Sequence, residues 1–468
     1  MRPRRLIGKL ETLVLLSALT LLAWVLATRA VLAQNTPPPA APSTQQSAQN
    51  PTAPGATEAS EESTGIKAYT LPPEKYAQAV AYARARYTLY FADALYGFLI
   101  LLMVLNWRLA PRFRDWAEGT PIEGQRPRRR FLQVLIYAPL LSLLLGVAGL
   151  PTGIYGQWLE RHYQQSVEGW GAWLWDWGKG QIIGIVIAVL LIWILYGIIR
   201  RAPQRWWLYF WLASIPILVF LLFISPVVIE PLFYKFESLA KTQPQLVAEI
   251  TKVVERAGMS IAPDRMFLMQ ASEKLNSLNA YVTGVGASKR VVVWDTTIKR
   301  MTTAETVSVF GHEMGHYVLG HVWKGILFFS GVLLIFLYFG YRGLHWALGR
   351  WGARWQIRGA DDWASLPVLL LLFSIFSFLA SPITNGFSRY IEHQADVYEL
   401  EVIHGIIPNW RQVAVQAEQV LGEVDLSDPD PSPFIEFWLY THPSQKERIE
   451  FELNYDPWGK GEQPQFVK

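Results

Sequence analysis

The five residues His312-Glu313-Met314-Gly315-His316 have the composition and spacing of a metal site. A helix turns the chain by about 100° per residue, so His316 lies about 40° round from His312 and Glu313 about 100° round. Two imidazoles on one face typically share a zinc ion, and the carboxylate beside them can then polarise a zinc-activated water. The alternative is a helix that carries two His by chance.

The composition limits what kind of protein can hold this site. Of the 468 residues, 51% are hydrophobic and 17% are charged, and the mean hydropathy is +0.18, which indicates a protein with several membrane spans. The chain has no Cys, so His and carboxylate side chains must bind any metal. The net charge of +4 is small and no basic stripe accompanies it, so we expect no nucleic-acid partner.

Two segments can be distinguished in the first 66 residues. Residues 1–33 begin with basic side chains and continue as an apolar run, which predicts a signal peptide or a first transmembrane helix. Val31 and Ala33 suit a cleavage site, which favours the signal peptide. Residues 34–66 are mainly Pro, Ala, Ser, Thr and Gln, and they predict a disordered linker because they cannot bury a core.

The remaining chain predicts a mainly α, polytopic membrane protein. Residues 67–230 predict an amphipathic helix, at 67–87, followed by four transmembrane helices, and residues 323–388 predict two more. Each apolar run is close to the ~20 residues that a helix needs to cross a bilayer. The six runs lie at about 89–107, 131–150, 181–199, 206–229, 325–341 and 364–388.

Arginine is concentrated in alternate loops between these runs. The loops at about 108–130, 200–205 and 342–358 are rich in Arg, whereas the loop at 151–180 has only Arg161 and Lys179. Positively charged loops tend to stay in the cytoplasm, so the Arg-rich loops are predicted to lie there. The segments on either side of the last two spans then meet on the opposite side, which predicts an extracytoplasmic catalytic face.

Residues 231–322 predict a small α/β metallopeptidase segment that ends with the helix of the two His. Thr302 and Glu305 have the spacing of a capping box, which indicates where this helix begins. Residues 281–285 and 290–294 flank a Gly-containing turn and are rich in β-branched side chains, so they predict a hairpin. Residues 389–468 predict a soluble C-terminal region on the same side.

A site with two His needs a further protein ligand, and the end of the last span offers one. On a helical wheel, about 100° of arc is covered by a polar stripe of Asn385, Ser388, Arg389, Glu392 and Asp396. Such a stripe is not expected to face lipid. Glu392 and His393 point about 100° apart, so only one can face the metal, and the stripe favours Glu392. The alternative to a metal-binding stripe is an ordinary solvated face at the end of a helix.

These motifs resemble those of the type 1 CAAX prenyl proteases, integral-membrane zinc metallopeptidases of the gluzincin group. The resemblance covers about residues 67–455. It is carried by residues 312–316 with a further His321, the stripe at 385–396, Asn279-Ala280-Tyr281 before 290–295, residues 231–236, and Thr441-His442-Pro443-Ser444 with Arg448.

The resemblance implies one Zn²⁺ per chain, bound by His312, His316 and Glu392. It also implies that Glu313 is the general base and that Asp396 is either a proton donor or a partner of a zinc ligand. The transmembrane helices are expected to enclose a chamber that has the zinc site at one end.

We expect further roles for residues around the metal. His442 is expected to help hold the oxyanion, and Asn279-Ala280-Tyr281 is expected to form an edge strand that pairs with the substrate backbone. Asn385 and Arg389 are expected to support the ligands, and the alternative for Arg389 is an ion pair with one carboxylate of the stripe.

The sequence therefore predicts a membrane-embedded zinc metalloendopeptidase, with a peptide or protein substrate and the lipid bilayer as partners. The eukaryotic proteins it resembles have a cytosolic catalytic face, unlike the face predicted here, so cleavage of prenylated proteins stays open. One alternative is an intramembrane-cleaving metalloprotease, which would need a downstream Asp inside a span; 364–388 has none. Another is a transporter with a structural metal, which would need ionisable residues along its spans, and Asp93 is one of few.

Overall fold

The computed structural model describes residues 66–119, 126–284 and 289–467, without the side chains of 126–129. The predicted segment 1–33 and all but the last residue of the predicted linker 34–66 lie outside these ranges. Most of the turn of the predicted hairpin, residues 285–288, lies outside them too.

Within the described residues, six helices are long and apolar enough to cross a membrane, and they overlap the six predicted runs. They are α1 (Pro73–Asn106), α3 (Arg126–Ala148), α5 (Trp170–Arg201), α6 (Trp206–Ile224, continued by π and 3₁₀ turns to Leu232), α11 (His321–Trp355) and α12 (Leu366–Ile403). The 38 residues of α12 span about 57 Å, against about 30 Å for a hydrocarbon core. Its C-terminal part, which carries the polar stripe, therefore projects beyond a bilayer.

One segment differs from the sequence-based expectation, and another is continuous with its neighbour. The amphipathic helix predicted at 67–87 begins at Pro73 and leads into the first span, because both belong to the unbroken helix α1. The segment 151–180, predicted as a loop, is mostly helical: α4 (Leu150–His162) has a Pro in its first turn, and α5 begins at Trp170. A short helix, α2 (Leu109–Glu118), follows α1.

The Arg-rich connections lie together at one end of the helix bundle, and the peptidase segment lies at the other. At the first end, Arg114 and Asp362 form a buried ion pair of 2.6 Å. At the second end, Ser166, which follows α4, forms a β-bridge with Leu275 of the peptidase segment. The loops are thus arranged in space as the alternation of Arg predicts.

The peptidase segment contains four strands, β1 (Phe236–Ser238), β2 (Met266–Met269), β3 (Ala280–Thr283) and β4 (Arg290–Trp294). They form one sheet of order β1-β2-β4-β3, in which β2 and β4 are parallel and the other pairs are antiparallel. All five residues of β4 are buried, as expected for a central strand. The predicted hairpin is present as β3 and β4. The helices of this segment are α7 (Leu239–Thr242), α8 (Pro244–Arg256), α9 (Asp295–Arg300) and α10 (Thr303–Val318).

The C-terminal region packs against the start of the first span. Its helices are α13 (Trp410–Val424), α14 (Pro433–Leu439) and α15 (Gln445–Asn454). Gln419 of α13 donates a 2.6 Å hydrogen bond to the carbonyl of Thr70, and a Cβ at Gly422 would lie 2.6 Å from the buried Tyr69 ring. The chain entering α1 therefore lies at the same end of the bundle as the C-terminal region.

Candidate active site

Helix α10 presents His312, Glu313 and His316, and its start is fixed by side-chain bonds. The Glu305 carboxylate accepts the Thr302 N–H at 2.7 Å, and the Thr302 hydroxyl accepts the Glu305 N–H at 3.3 Å. The predicted capping box is therefore confirmed. Because it fixes the first turn, it also fixes the direction in which the two His leave the helix.

Two glycines of α10 allow it to lie very close to α12. A Cβ added at Gly315 would lie 3.0 Å from Cβ of Tyr398, and one added at Gly311 would lie 3.1 Å from Cγ2 of Ile403. Larger residues would push the helices apart. This close contact brings the two His onto the polar stripe at the end of α12.

His312, His316 and Glu392 place three ligand atoms together. The Nε2 atoms of the two His are 3.1 Å apart, and Oε2 of Glu392 lies 3.2 Å and 3.3 Å from them. A tetrahedral ion with bonds of about 2.0–2.1 Å holds its ligand atoms about 3.3 Å apart. Glu392 is fully buried, and its Oε1 accepts no hydrogen bond from the described residues. The donor set therefore fits a shared metal ion.

The neighbouring His393 lies away from these atoms. Its ring packs on Phe451, with 4.6 Å between the centroids. Of the two adjacent candidates for a third ligand, the structure thus brings Glu392 and not His393 to His312 and His316.

Glu313 lies beside the ligand atoms and is partly buried. Burial raises the pKa of Glu313 above its ordinary value, while His316 and His312 lower it in part. A carboxylate with a raised pKa is better matched to accepting a proton and releasing it again near neutral pH.

His442 lies on the open side of the ligand atoms. Its Nε2 is 3.1 Å from Oε2 of Glu392, and its side chain is 33% exposed where that of Glu392 is 1% exposed. An imidazole in this position can reach a molecule that approaches the metal from the solvent side.

Arg389 and Asn385 hold the chain that leads to His442. Arg389 donates hydrogen bonds to the carbonyls of Glu436 and Tyr440 at 2.9 Å and 2.5 Å, and Asn385 donates to the carbonyl of Trp438 at 2.7 Å. The ion pair between Arg389 and a carboxylate of the stripe is not formed. These two residues instead connect α12 to the end of α14.

Asp396 contacts His312 at Nδ1, the ring nitrogen that does not face the other ligand atoms. Its Oδ1 lies 2.9 Å from Nδ1 of His312 and accepts a 2.6 Å hydrogen bond from Arg448, which also pairs with Glu418 at 2.8 Å. Sequence reasoning placed Arg448 in one of the motifs that carry the resemblance but assigned it no role, and it did not identify Glu418 as a site residue. No spacing signal relates these residues, because they lie on three different helices.

His316 has a partner at its Nδ1 atom, as His312 does, and this partner is His321. Sequence reasoning named His321 among the motif residues but assigned it no role. The Nδ1 atoms of the two rings are 2.9 Å apart, and Nε2 of His321 lies 3.1 Å from Oε1 of Gln394. Each of the two His therefore has its Nδ1 fixed by a neighbour, which leaves Nε2 pointing to the shared position.

The predicted substrate strand forms one edge of the sheet. Ala280 and Tyr281 begin β3, which pairs with β4 on one side and packs against α10. Asn279 immediately precedes it and accepts the Trp294 N–H at 3.0 Å. The Tyr281 hydroxyl donates to Glu230 at 2.6 Å, so it ties β3 to the end of the α6 span.

Membrane-length helices, with a cluster of two imidazoles and a carboxylate at one end and a second carboxylate beside it, define an integral-membrane metallopeptidase. Two family models match the chain: residues 240–454 match peptidase family M48, and residues 64–235 match a domain described as the CAAX prenyl protease N-terminal, five membrane helices. The chain belongs to peptidase family M48.

Relatives support this assignment along most of the chain. The uncharacterized metalloprotease YhfN of Bacillus subtilis is 33% identical over 380 residues, covering 81% of this chain and 86% of that protein. The human CAAX prenyl protease 1 homolog is 24% identical over 437 residues, covering 81% and 86%. The crystal structure of S. mikatae Ste24p matches with a TM-score of 0.67 at 20% identity, covering 85% of this chain and 93% of that one.

These matches confirm the resemblance read from the motifs, the mainly α polytopic fold with a chamber, and the class of enzyme. The protein is a multi-pass membrane metalloprotease that uses a metal cofactor and acts on peptides or proteins. The intramembrane-cleaving alternative is not favoured, because α10 lies outside the six membrane-length helices of the described chain. The family assignment also disfavours a transporter.

Proposed function

We propose that this protein is a zinc metalloendopeptidase with one Zn²⁺ per chain, bound by His312, His316 and Glu392. The observation that carries the proposal is the 3.1–3.3 Å spacing of the three ligand atoms. Two imidazoles and one carboxylate are a usual ligand set for a catalytic zinc that keeps one position open. When bound, zinc supplies Lewis acidity, which stabilises negative charge on oxygen and makes water easier to deprotonate.

Glu313 is proposed as the general base that takes the proton of the attacking water and later gives it to the leaving amine. It is adjacent to His312 in the chain, and its raised pKa suits both transfers. His442, on the open side, donates a hydrogen bond to the carbonyl oxygen as negative charge develops there.

Asp396 is proposed to position His312 rather than to donate a proton. Its Oδ1 is already engaged by His312 and Arg448, and the residue is 1% exposed, so a substrate cannot reach it directly. A carboxylate on Nδ1 fixes the tautomer of the imidazole and makes its Nε2 a better ligand.

A membrane-associated peptide or protein is proposed as the substrate. The edge strand at 280–283 offers backbone groups to an extended peptide beside α10. Phe434 and Phe437 of α14 are 57% and 53% exposed just before His442, and they provide apolar surface for a partly apolar substrate. The catalytic face is proposed to be extracytoplasmic, because the Arg-rich connections lie at the opposite end of the bundle.

Glu313→Gln tests the proposal. The variant is expected to keep one zinc per chain and to lose at least about 10²–10⁴-fold in kcat/KM, because the base does not bind the metal. Substrates are found by sequencing the N-termini of membrane proteins by mass spectrometry, with wild type against the variant. Glu450→Gln, an exposed change on α15, is the control. Activity of Glu313→Gln within tenfold of wild type would contradict the proposal.

A further inference from the structure

Three glutamates from three helices meet behind the proposed zinc site. Glu399 of α12, Glu418 of α13 and Glu452 of α15 are 2%, 2% and 0% exposed, and one oxygen of each lies within 4.8 Å of the others. The group adjoins His312, whose Nδ1 is 3.7 Å from Oε2 of Glu399. None of the three carboxylates has a part in the proposed peptide hydrolysis.

The three carboxylates are unequally satisfied by the protein. Glu399 accepts a 2.6 Å hydrogen bond from the Ser308 hydroxyl, and Glu418 pairs with Arg448. Neither oxygen of Glu452 accepts a hydrogen bond from any residue in the described ranges. A fully buried carboxylate without a partner is strongly unfavourable, so either a proton or a bound cation must compensate its charge.

The charges of the surrounding groups indicate how much compensation is needed. Asp396 and the three glutamates face a single guanidinium, that of Arg448, which leaves three negative charges when all are ionised. Zinc with Glu392 would contribute one positive charge, so two negative charges remain. Burial, and to a smaller extent Glu418 and Glu399, raises the pKa of Glu452 well above its ordinary value, so without a bound cation this carboxyl favours its neutral form.

We propose that Glu399, Glu418 and Glu452 bind a hard divalent cation, Mg²⁺ or Ca²⁺, at a structural site distinct from the zinc site. The donors are carboxylate oxygens only, a set that suits these hard cations better than zinc, which is usually bound by at least one His or Cys. Two positive charges neutralise the remaining two negative ones, and the unpaired oxygens of Glu452 become ligands. The cation fastens α12, α13 and α15 together, and with them the residues that position His312.

Metal content tests the proposal. Full-length protein in detergent is stripped with a chelator, reloaded with zinc, and equilibrated with Mg²⁺ or Ca²⁺ in separate samples. After removal of unbound metal, we expect one zinc and one hard cation per chain, with a higher melting temperature than the zinc-only sample. Above Kd, each tenfold rise in free cation shifts the folding equilibrium about tenfold.

Glu452→Gln should lose the hard cation and its effect on the melting temperature while keeping zinc. Glu450→Gln, two residues away on the same helix and exposed, should keep both metals. Wild type that binds zinc alone, with a melting temperature unmoved by either cation, would overturn the proposal and show that protons compensate the charge. This wild-type measurement decides the question even if Glu452→Gln does not fold, and the zinc count reports separately on the proposed active site.

Discussion

Asp396→Asn separates two roles for this carboxylate, the positioning of His312 and the donation of a proton. Asn has nearly the same shape, so the buried site keeps its packing, but the negative charge is lost. In the native protein that charge accepts a 2.9 Å hydrogen bond from Nδ1 of His312 and pairs with Arg448 at 2.6 Å. Arg448 keeps its second partner, Glu418, in the variant.

The size of the effect follows from this geometry. Asp396 and His312 are 1% and 6% exposed, so water screens their hydrogen bond little. A hydrogen bond to a charged group contributes about 1.5–3 kcal/mol, and about 1.4 kcal/mol corresponds to tenfold in an equilibrium. Zinc affinity should therefore fall by about 10–100-fold, as found when a partner of a metal-bound His is removed.

The assay compares zinc affinity with activity. Zinc dissociation constants are measured by competition with a chelator, and kcat is measured at zinc concentrations that saturate each variant. We expect weaker zinc binding in Asp396→Asn and a kcat that largely recovers at saturating zinc. Asp430→Asn, at an exposed position of the same C-terminal region, is the control. Native zinc affinity with lost kcat would refute the positioning role and support proton donation.

Three further outcomes are expected. Arg389→Met should lower kcat about tenfold or more with zinc content unchanged, because it frees the chain that leads to His442; loss of zinc instead would contradict this. Burial raises the pKa of Asp425 well above its ordinary value, so folding stability is full below about pH 4 and falls as the pH rises towards the folded-state pKa. Asp425→Asn should therefore melt higher than wild type at pH 7.5 and equally near pH 4, and equal melting temperatures at both values would speak against this. In this Cys-free chain, Asp430→Cys should react with an impermeant maleimide in intact spheroplasts and Asp361→Cys only after lysis; the reverse pattern would place the catalytic face in the cytoplasm.

The membrane-length helices and the motif at 312–316 could be read from the sequence because both are local signals. A run of about 20 apolar side chains forms a helix in a bilayer whatever it later packs against, since only internal hydrogen bonds satisfy its backbone there. The spacing of His312 and His316 has meaning on a single helix turn, and the capping box of Thr302 and Glu305 is complete within four residues. The loop expected at 151–180 is mostly helical, because an Arg-poor and Trp-rich composition does not by itself exclude helix.

The tertiary structure decided which distant groups meet. Arg389 lies on the same stripe as Glu392, yet it donates hydrogen bonds to one carbonyl of α14 and one just after it, and the partner of Asp396 is Arg448, 52 residues further along the chain. No periodicity within one helix encodes such contacts, because they depend on how α12, α13 and α15 pack. Even Glu452, one polar residue among several on α15, is distinguished only by burial, which packing against other helices imposes.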